Sequence, residues 1–63
     1  MTPEQLYTLR TAAGMTQSEL AARLGKAASR ISEWENERRA IPMAEAIAIE
    51  TVCAEKQRIN LTN

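Results

Sequence analysis

Residues 26–39 combine charged and hydrogen-bonding side chains at helical spacing. Arginine and lysine donate hydrogen bonds to phosphate and guanine, whereas glutamate accepts one from cytosine and repels phosphate. The charged residues of the segment are Lys26, Arg30, Glu33, Glu35, Glu37, Arg38 and Arg39. The basic residues suit a helix that contacts DNA, but the whole chain balances 8 Lys+Arg against 8 Asp+Glu, so its net charge does not attract a polyanion.

The composition argues against catalysis and against a metal site. Histidine and aspartate are absent, so the chain lacks the commonest general base and zinc ligand. The single Cys53 can form neither a zinc-binding pair nor an internal disulfide. We therefore expect no enzyme activity, no cofactor and no metal.

The length and the hydropathy pattern predict a small cytoplasmic protein. The sequence contains no apolar run of the about 18 residues that a membrane span needs, and no signal-peptide pattern. The lone cysteine fits a reducing compartment. The 63 residues are predicted to form one domain, residues 1–63, without room for a unit that senses a small-molecule ligand.

Capping and stop signals divide the chain into four helices. Thr2 with Gln5 and Thr16 with Glu19 form two capping boxes, and Gly14 and Gly25 are candidate helix stops. The predicted helices run from Pro3 to about Ala13, from Thr16 over about eight residues to Gly25, from just after Gly25 to about Asn36, and from Pro42 to about Glu55. Two short helices joined by a tight glycine-containing turn indicate a helix-turn-helix at about residues 16–36.

Arg10 and Glu35 are predicted to form an internal ion pair. Arg10 lies on the apolar stripe of the first helix with Leu6 and Leu9, and stepping about 100° per residue from Ile31 places Glu35 beside the buried side of the third helix. A buried charge without a partner costs several kcal/mol, whereas a hydrogen-bonded pair can break even. The alternative is that Arg10 extends to solvent and Glu35 lies on the surface.

Residues 9–42 resemble the Cro/C1-type (XRE-family) helix-turn-helix domain of phage and bacterial regulators. The matching residues are Arg10, Gly14, Thr16, Gln17, Leu20, Ala21, Leu24, Gly25, Ile31, Trp34, Glu35 and Pro42. The resemblance implies an all-α, compact four- to five-helix bundle, the lambda-repressor-like DNA-binding domain. In such a bundle the third helix enters the major groove of double-stranded DNA and the second lies across its backbone. The resemblance also supports the Arg10–Glu35 pair independently of helical phase.

The resemblance further implies which residues contact DNA. Gln17 would bind a phosphate at the start of the second helix. The residues that would face the groove or its edges are Lys26, Ala28, Ser29, Ser32, Glu33 and Asn36. Among them, Ala28 suits a thymine methyl and Glu33 suits cytosine N4.

Three arginines flank this surface. Arg30 is within reach of a guanine or a phosphate, but it can equally pair with Glu33, three residues on. Arg38 and Arg39 are expected at backbone phosphates, the alternative being a solvated loop.

Two positions depart from the family pattern. The family usually has glycine after the asparagine, where this chain has Glu37, so Asn36 is expected to take the left-handed conformation at the helix end. The turn after Gly25 lacks the usual serine or threonine cap, so the start of the third helix is expected to fray until DNA binds.

The fourth helix is apolar on more than one side, although a surface helix needs only one apolar stripe. The excess predicts a homodimer, with an interface made by Ala46, Ile49, Val52 and Cys53. A two-fold dimer places two recognition helices about 34 Å apart, on a palindromic operator. Residues 42–63 would then serve dimerisation. The sequence does not decide whether the tail from residue 56 is helix, strand or disordered. One arrangement is a strand through Ile59 and Leu61. The alternative is a monomer whose fourth helix closes a small core.

We therefore predict a sequence-specific transcriptional regulator. The leading hypothesis is a homodimeric repressor that blocks a promoter, in one version its own, and that comes from a phage or mobile element. The alternative is a protein-interaction module, such as an antitoxin or adaptor, that uses the helical bundle to hold a partner protein. Neutral charge and the apolar fourth helix favour that alternative.

Overall fold

The computed structural model describes the backbone of residues 1–61 and the side chains of residues 1–58. The helices in this part of the chain are α1 (Pro3–Ala12), α2 (Gln17–Leu24), α3 (Ala28–Glu35) and α4 (Met43–Leu61). The predicted all-α class is confirmed, and no strand occurs among residues 1–61. None of the helices described is long and apolar enough to cross a bilayer.

The fourth helix is longer than the sequence pattern indicated. It continues past Glu55 to Leu61, so the strand considered through Ile59 and Leu61 is wrong. Residues 54–61 contain neither glycine nor proline and include several strong helix formers, so no local signal ends the helix. Residues 62–63 lie outside the described part of the chain.

Both predicted capping boxes are present. The Thr2 hydroxyl accepts from the Gln5 backbone N–H at 3.1 Å, and the Gln5 side chain accepts from the Thr2 N–H at 2.8 Å. Thr16 and Glu19 make the same reciprocal pair at 3.1 and 3.0 Å. The hydrogen bond from the Thr16 backbone lowers the pKa of Glu19. These caps satisfy N–H groups that a helix start leaves unpaired, so they define where α1 and α2 begin.

Side chains from all four helices meet in one core. The largest fully buried side chains are Trp34, Leu6, Leu20, Ile31, Ile49 and Cys53. The indole N–H of Trp34 is buried and, among the described side chains and backbone, has no hydrogen-bond partner. Trp34 therefore stabilises the core through the apolar area of its ring. Burial also raises the pKa of the Cys53 thiol, which packs as a small apolar group.

The residues predicted to form a dimer interface lie mainly in this core. Ala46, Ile49 and Cys53 are buried within the chain itself, and Val52 packs against the core while partly exposed. Burial of three of these four residues within one chain argues against a dimer interface at this stripe. The stripe of α4 that the sequence assigned to a second copy instead packs on the core formed with α1, α2 and α3. A core this small needs the fourth helix to cover it.

Candidate nucleic-acid interface

A tight turn joins α2 to α3. Gly25 takes a left-handed conformation, with φ 69°, and the next residue, Lys26, donates its backbone N–H to the Ala21 carbonyl at 2.9 Å. Ala27 then precedes α3 in extended conformation and makes no side-chain cap. Because alanine has no side-chain oxygen, Ala27 cannot accept a hydrogen bond from the free N–H groups at the start of α3, as a serine or threonine would. The fraying of this helix start stays a prediction.

A network of side chains fixes α3 against α1 and α2. Arg10 donates from Nε and Nη2 to the two carboxylate oxygens of Glu35, at 2.7 and 3.1 Å. Its Nη1 donates to the Met15 carbonyl at 2.9 Å, and its guanidinium lies 5.4 Å from the centre of the Tyr7 ring. The ion pair predicted from helical phase is present, and its hydrogen bonds raise the pKa of Arg10. Gln17 joins the network by donating from Nε2 to Glu35 at 3.0 Å.

The hydrogen bond from Gln17 was not predicted from the sequence. Gln17 and Glu35 are 18 positions apart, and no local pattern connects them. The bond uses one N–H of the Gln17 amide, so the predicted phosphate contact would have to use the second N–H or the backbone at the start of α2. This bond joins the first residue of α2, Gln17, to the last residue of α3, Glu35.

The outward side of α3 presents hydrogen-bonding groups, which together we call the α3 polar face: Ser29, Ser32, Glu33 and Asn36. Asn36 donates from Nδ2 to the Ser32 carbonyl at 2.9 Å and to the Ser32 hydroxyl at 3.2 Å, which orients both side chains. Ala28, predicted to face the groove or its edges, packs partly against the core, so only part of its methyl group is exposed.

Three of the four cations around this face are paired within the chain. Glu33 Oε1 lies 3.7 Å from Arg30 Nε and 3.6 Å from Arg39 Nε. Lys26 Nζ lies 3.5 Å from Glu45 Oε1, at the start of α4. The sequence indicated the Arg30–Glu33 contact as one of two options, but the contacts of Lys26 and Arg39 depend on the tertiary fold and were missed. Arg38 is exposed and makes no ion pair with the side chains described.

The end of α3 differs from the prediction. Glu37 takes the left-handed conformation, with φ 61°, whereas Asn36 has φ −97°. The prediction that Asn36 would be left-handed is therefore wrong. The reason is the hydrogen-bond register, because Arg38 donates its backbone N–H to the Glu33 carbonyl at 2.9 Å. This bond requires the residue before Arg38 to reverse the chain.

The same hydrogen-bond pattern ends α1 and α2, but there the left-handed residue is glycine. Met15 donates to the Arg10 carbonyl at 3.1 Å after left-handed Gly14, and Lys26 donates to Ala21 after left-handed Gly25. Among the ends of α1, α2 and α3, the end of α3 is the one where this position carries a residue with a Cβ atom, Glu37. Left-handed backbone costs such a residue about 1–2 kcal/mol.

Replacing Glu37 by glycine should therefore stabilise the protein, by about 0.5–1 kcal/mol after the greater backbone entropy of glycine in the unfolded chain is included. Urea denaturation measures the gain as a higher midpoint. Glu37→Gln is the matched control, because it removes the same charge and keeps the Cβ atom. If the two variants have equal midpoints, the left-handed backbone is not the source of the gain.

The short helices α2 and α3, the glycine turn between them and the polar face of α3 define a helix-turn-helix domain. The sequence model of the helix-turn-helix family matches residues 6–55, which is most of the chain. The chain thus belongs to the Cro/C1-type (XRE) helix-turn-helix family and is a DNA-binding regulator of transcription. No curated protein and no solved structure matches it significantly.

Proposed function

We propose that this regulator is a sequence-specific repressor that binds a palindromic operator as a homodimer and represses by occluding a promoter. The observation that carries the proposal is the division of α3 into two sides. Ile31 and Trp34 are fully buried, while the α3 polar face offers hydroxyl, carboxylate and amide groups to a partner. Such groups distinguish base pairs in the major groove by their donors and acceptors. Autoregulation and a phage or mobile-element origin belong to the same proposal.

The polar face would read the bases, and the cations around it would hold the phosphates. Ser29 and Ser32 can donate to bases or phosphates, and Arg30 can donate two hydrogen bonds to a guanine. Lys26, Arg38 and Arg39 would contact the backbone, together with the start of α2 at Gln17. Among the side chains described, Arg38 forms no ion pair, so it can bind a phosphate without first breaking one.

The dimer would use the outward stripe of α4 rather than the stripe first predicted. Met43 is 78% exposed and Ile47 is 57% exposed, and they lie one helical turn apart. Together with the partly buried Met1 and Leu9, they line a shallow groove between α1 and α4. A second copy of this chain is the occupant that a palindromic operator needs, since its two half-sites require two recognition helices.

Selection of bound sequences from a random DNA pool tests the proposed specificity. The expected result is a palindromic motif whose half-sites are centred about 10 base pairs apart. A pool without any enriched sequence would contradict sequence-specific binding, and a single unrepeated half-site would contradict the two-fold dimer.

Sedimentation at micromolar concentration tests the dimer separately. The expected species has twice the 7.0 kDa mass of one chain, and Ile47→Glu should shift it toward the monomer. Ala22→Glu is the matched control, since Ala22 is also exposed but lies on α2, outside the groove that Ile47 lines. A monomer both free and on operator DNA would exclude the proposed homodimer.

A further inference from the structure

We infer that Glu33 is a specificity-determining residue that acts through Arg30 and Arg39, by holding both arginines away from phosphates on random DNA. One carboxylate oxygen of Glu33 lies within 3.7 Å of Nε of Arg30 and 3.6 Å of Nε of Arg39. All three side chains are partly exposed, so they can separate when a matched DNA site offers better partners. The inference rests on the DNA-binding function of the family and adds a role for this acid.

The charges explain why the effect is selective. With Glu33 in place the cluster has one net positive charge instead of two, and a phosphate must compete with a carboxylate for each arginine. Exposed ion pairs of this kind are weak, so the competition lowers affinity only a few-fold for each pair. On random DNA the arginines gain only phosphate contacts in exchange. On a matched site, base contacts by Arg30 or Glu33 offset the loss, so the ratio of specific to non-specific affinity rises.

Among the acids near α3, Glu33 is the one placed for this role. Glu35 is nearly buried and bound to Arg10 and Gln17. Among the described side chains, Glu45 pairs with one cation, Lys26. Glu37 is exposed and makes no ion pair with the described side chains, although it borders a groove that Arg39 also lines.

The test compares the wild-type protein with Glu33→Gln and Glu37→Gln on a random-sequence duplex at several salt concentrations. Both substitutions remove one negative charge close to the end of α3, but only the first removes the partner of two arginines. Glu33→Gln should tighten binding at low salt about 3- to 10-fold, against about 2-fold or less for Glu37→Gln. Its affinity should also fall more steeply with salt, by about one additional phosphate contact. The preference for a selected site over random DNA should decrease.

A double-mutant cycle with Arg39→Gln tests the contact itself. If Glu33 acts by holding the arginines, the gain from Glu33→Gln should be smaller when Arg39 has been replaced. Urea midpoints of all variants verify that each is folded.

Three results would overturn the inference. The first is an equal gain from Glu33→Gln and Glu37→Gln, which would reflect net charge alone. The second is a gain that is unchanged by Arg39→Gln. The third is a loss confined to one base pair with unchanged affinity for random DNA, which would make Glu33 a direct reader of cytosine. A random pool without enrichment would contradict the sequence-specific repressor, while the comparison on random duplex would still decide the role of Glu33.

Discussion

Replacing Glu35 by alanine is expected to lower the free energy of unfolding by about 3 kcal/mol, because it breaks a nearly buried ion pair. The side chains of Arg10 and Glu35 are only 11% and 8% exposed. In the variant, the Arg10 guanidinium would keep the Met15 carbonyl as a hydrogen-bond acceptor but lose its counter-charge, and Gln17 would lose its acceptor. Since 63 residues provide about 3–9 kcal/mol in total, the variant should be close to unfolding at room temperature.

Urea denaturation followed by tryptophan fluorescence measures this loss, since Trp34 is the single tryptophan and is fully buried. Glu37→Ala is the matched control, because it removes an exposed glutamate near the same helix end. The double variant Arg10→Met, Glu35→Met should be less destabilised than the sum of its two single variants, since neither charge is then left unpaired. Strict additivity, or an equal loss in Glu37→Ala, would show that the pair does not stabilise the fold.

Exchanging the two charges adds a finer measurement. Arg10→Glu with Glu35→Arg restores opposite charges, so it should recover part of the stability that either single reversal loses. The recovery should be incomplete, because a glutamate at position 10 cannot donate to the Met15 carbonyl and an arginine at position 35 cannot accept from Gln17. The size of the remaining deficit reports how much these two additional hydrogen bonds contribute.

Replacing Ile49 by alanine is expected to lower the free energy of unfolding by about 2–5 kcal/mol, through lost burial and the cavity left in the core. Ile49 is fully buried within the chain, in contact with a cluster that includes side chains of α1, α2 and α3. Ile47→Ala is the matched control, because the same substitution on the same helix removes a side chain that is 57% exposed. It should cost less than about 1 kcal/mol in the monomer.

The dependence on protein concentration distinguishes core from interface. The loss in Ile49→Ala should be the same at every concentration, because the side chain packs within one chain. A loss that shrank on dilution would instead place Ile49 between two copies, since an interface residue contributes to stability only in the associated fraction of the chains. That result would return the dimer interface to the stripe first predicted from the sequence.

Local signals determined the number of helices and where most of them begin. Thr2 and Thr16 each start a helix because a hydroxyl and a side chain three residues on satisfy two backbone N–H groups. Gly14 and Gly25 end helices because their left-handed backbone suits glycine. These effects act within five residues, so the sequence alone is enough to predict them. The Arg10–Glu35 pair was also predictable, since helical phase placed both charges on buried sides.

The left-handed residue after α3 was misplaced by one position. The family usually has glycine after the asparagine, where this chain has Glu37. Because asparagine adopts left-handed backbone more readily than glutamate, we predicted that conformation for Asn36. The backbone bond from Arg38 to Glu33 decides the register, and it places Glu37 in the strained conformation whatever its side chain. The backbone hydrogen bond therefore outweighs the cost of about 1–2 kcal/mol that left-handed backbone imposes on a residue with a Cβ atom.

The sequence by itself determined the helices, the capping residues, the buried ion pair and the family, because each depends on short spacings or on a pattern along the chain. Only the tertiary structure decided which stripe of α4 faces the core, since two apolar stripes on one helix are equivalent until the helix docks. It likewise decided that Glu33 meets Arg39, Glu45 meets Lys26 and Gln17 meets Glu35. These contacts join separate elements, and side-chain charges pair according to how those elements pack rather than according to their order in the sequence.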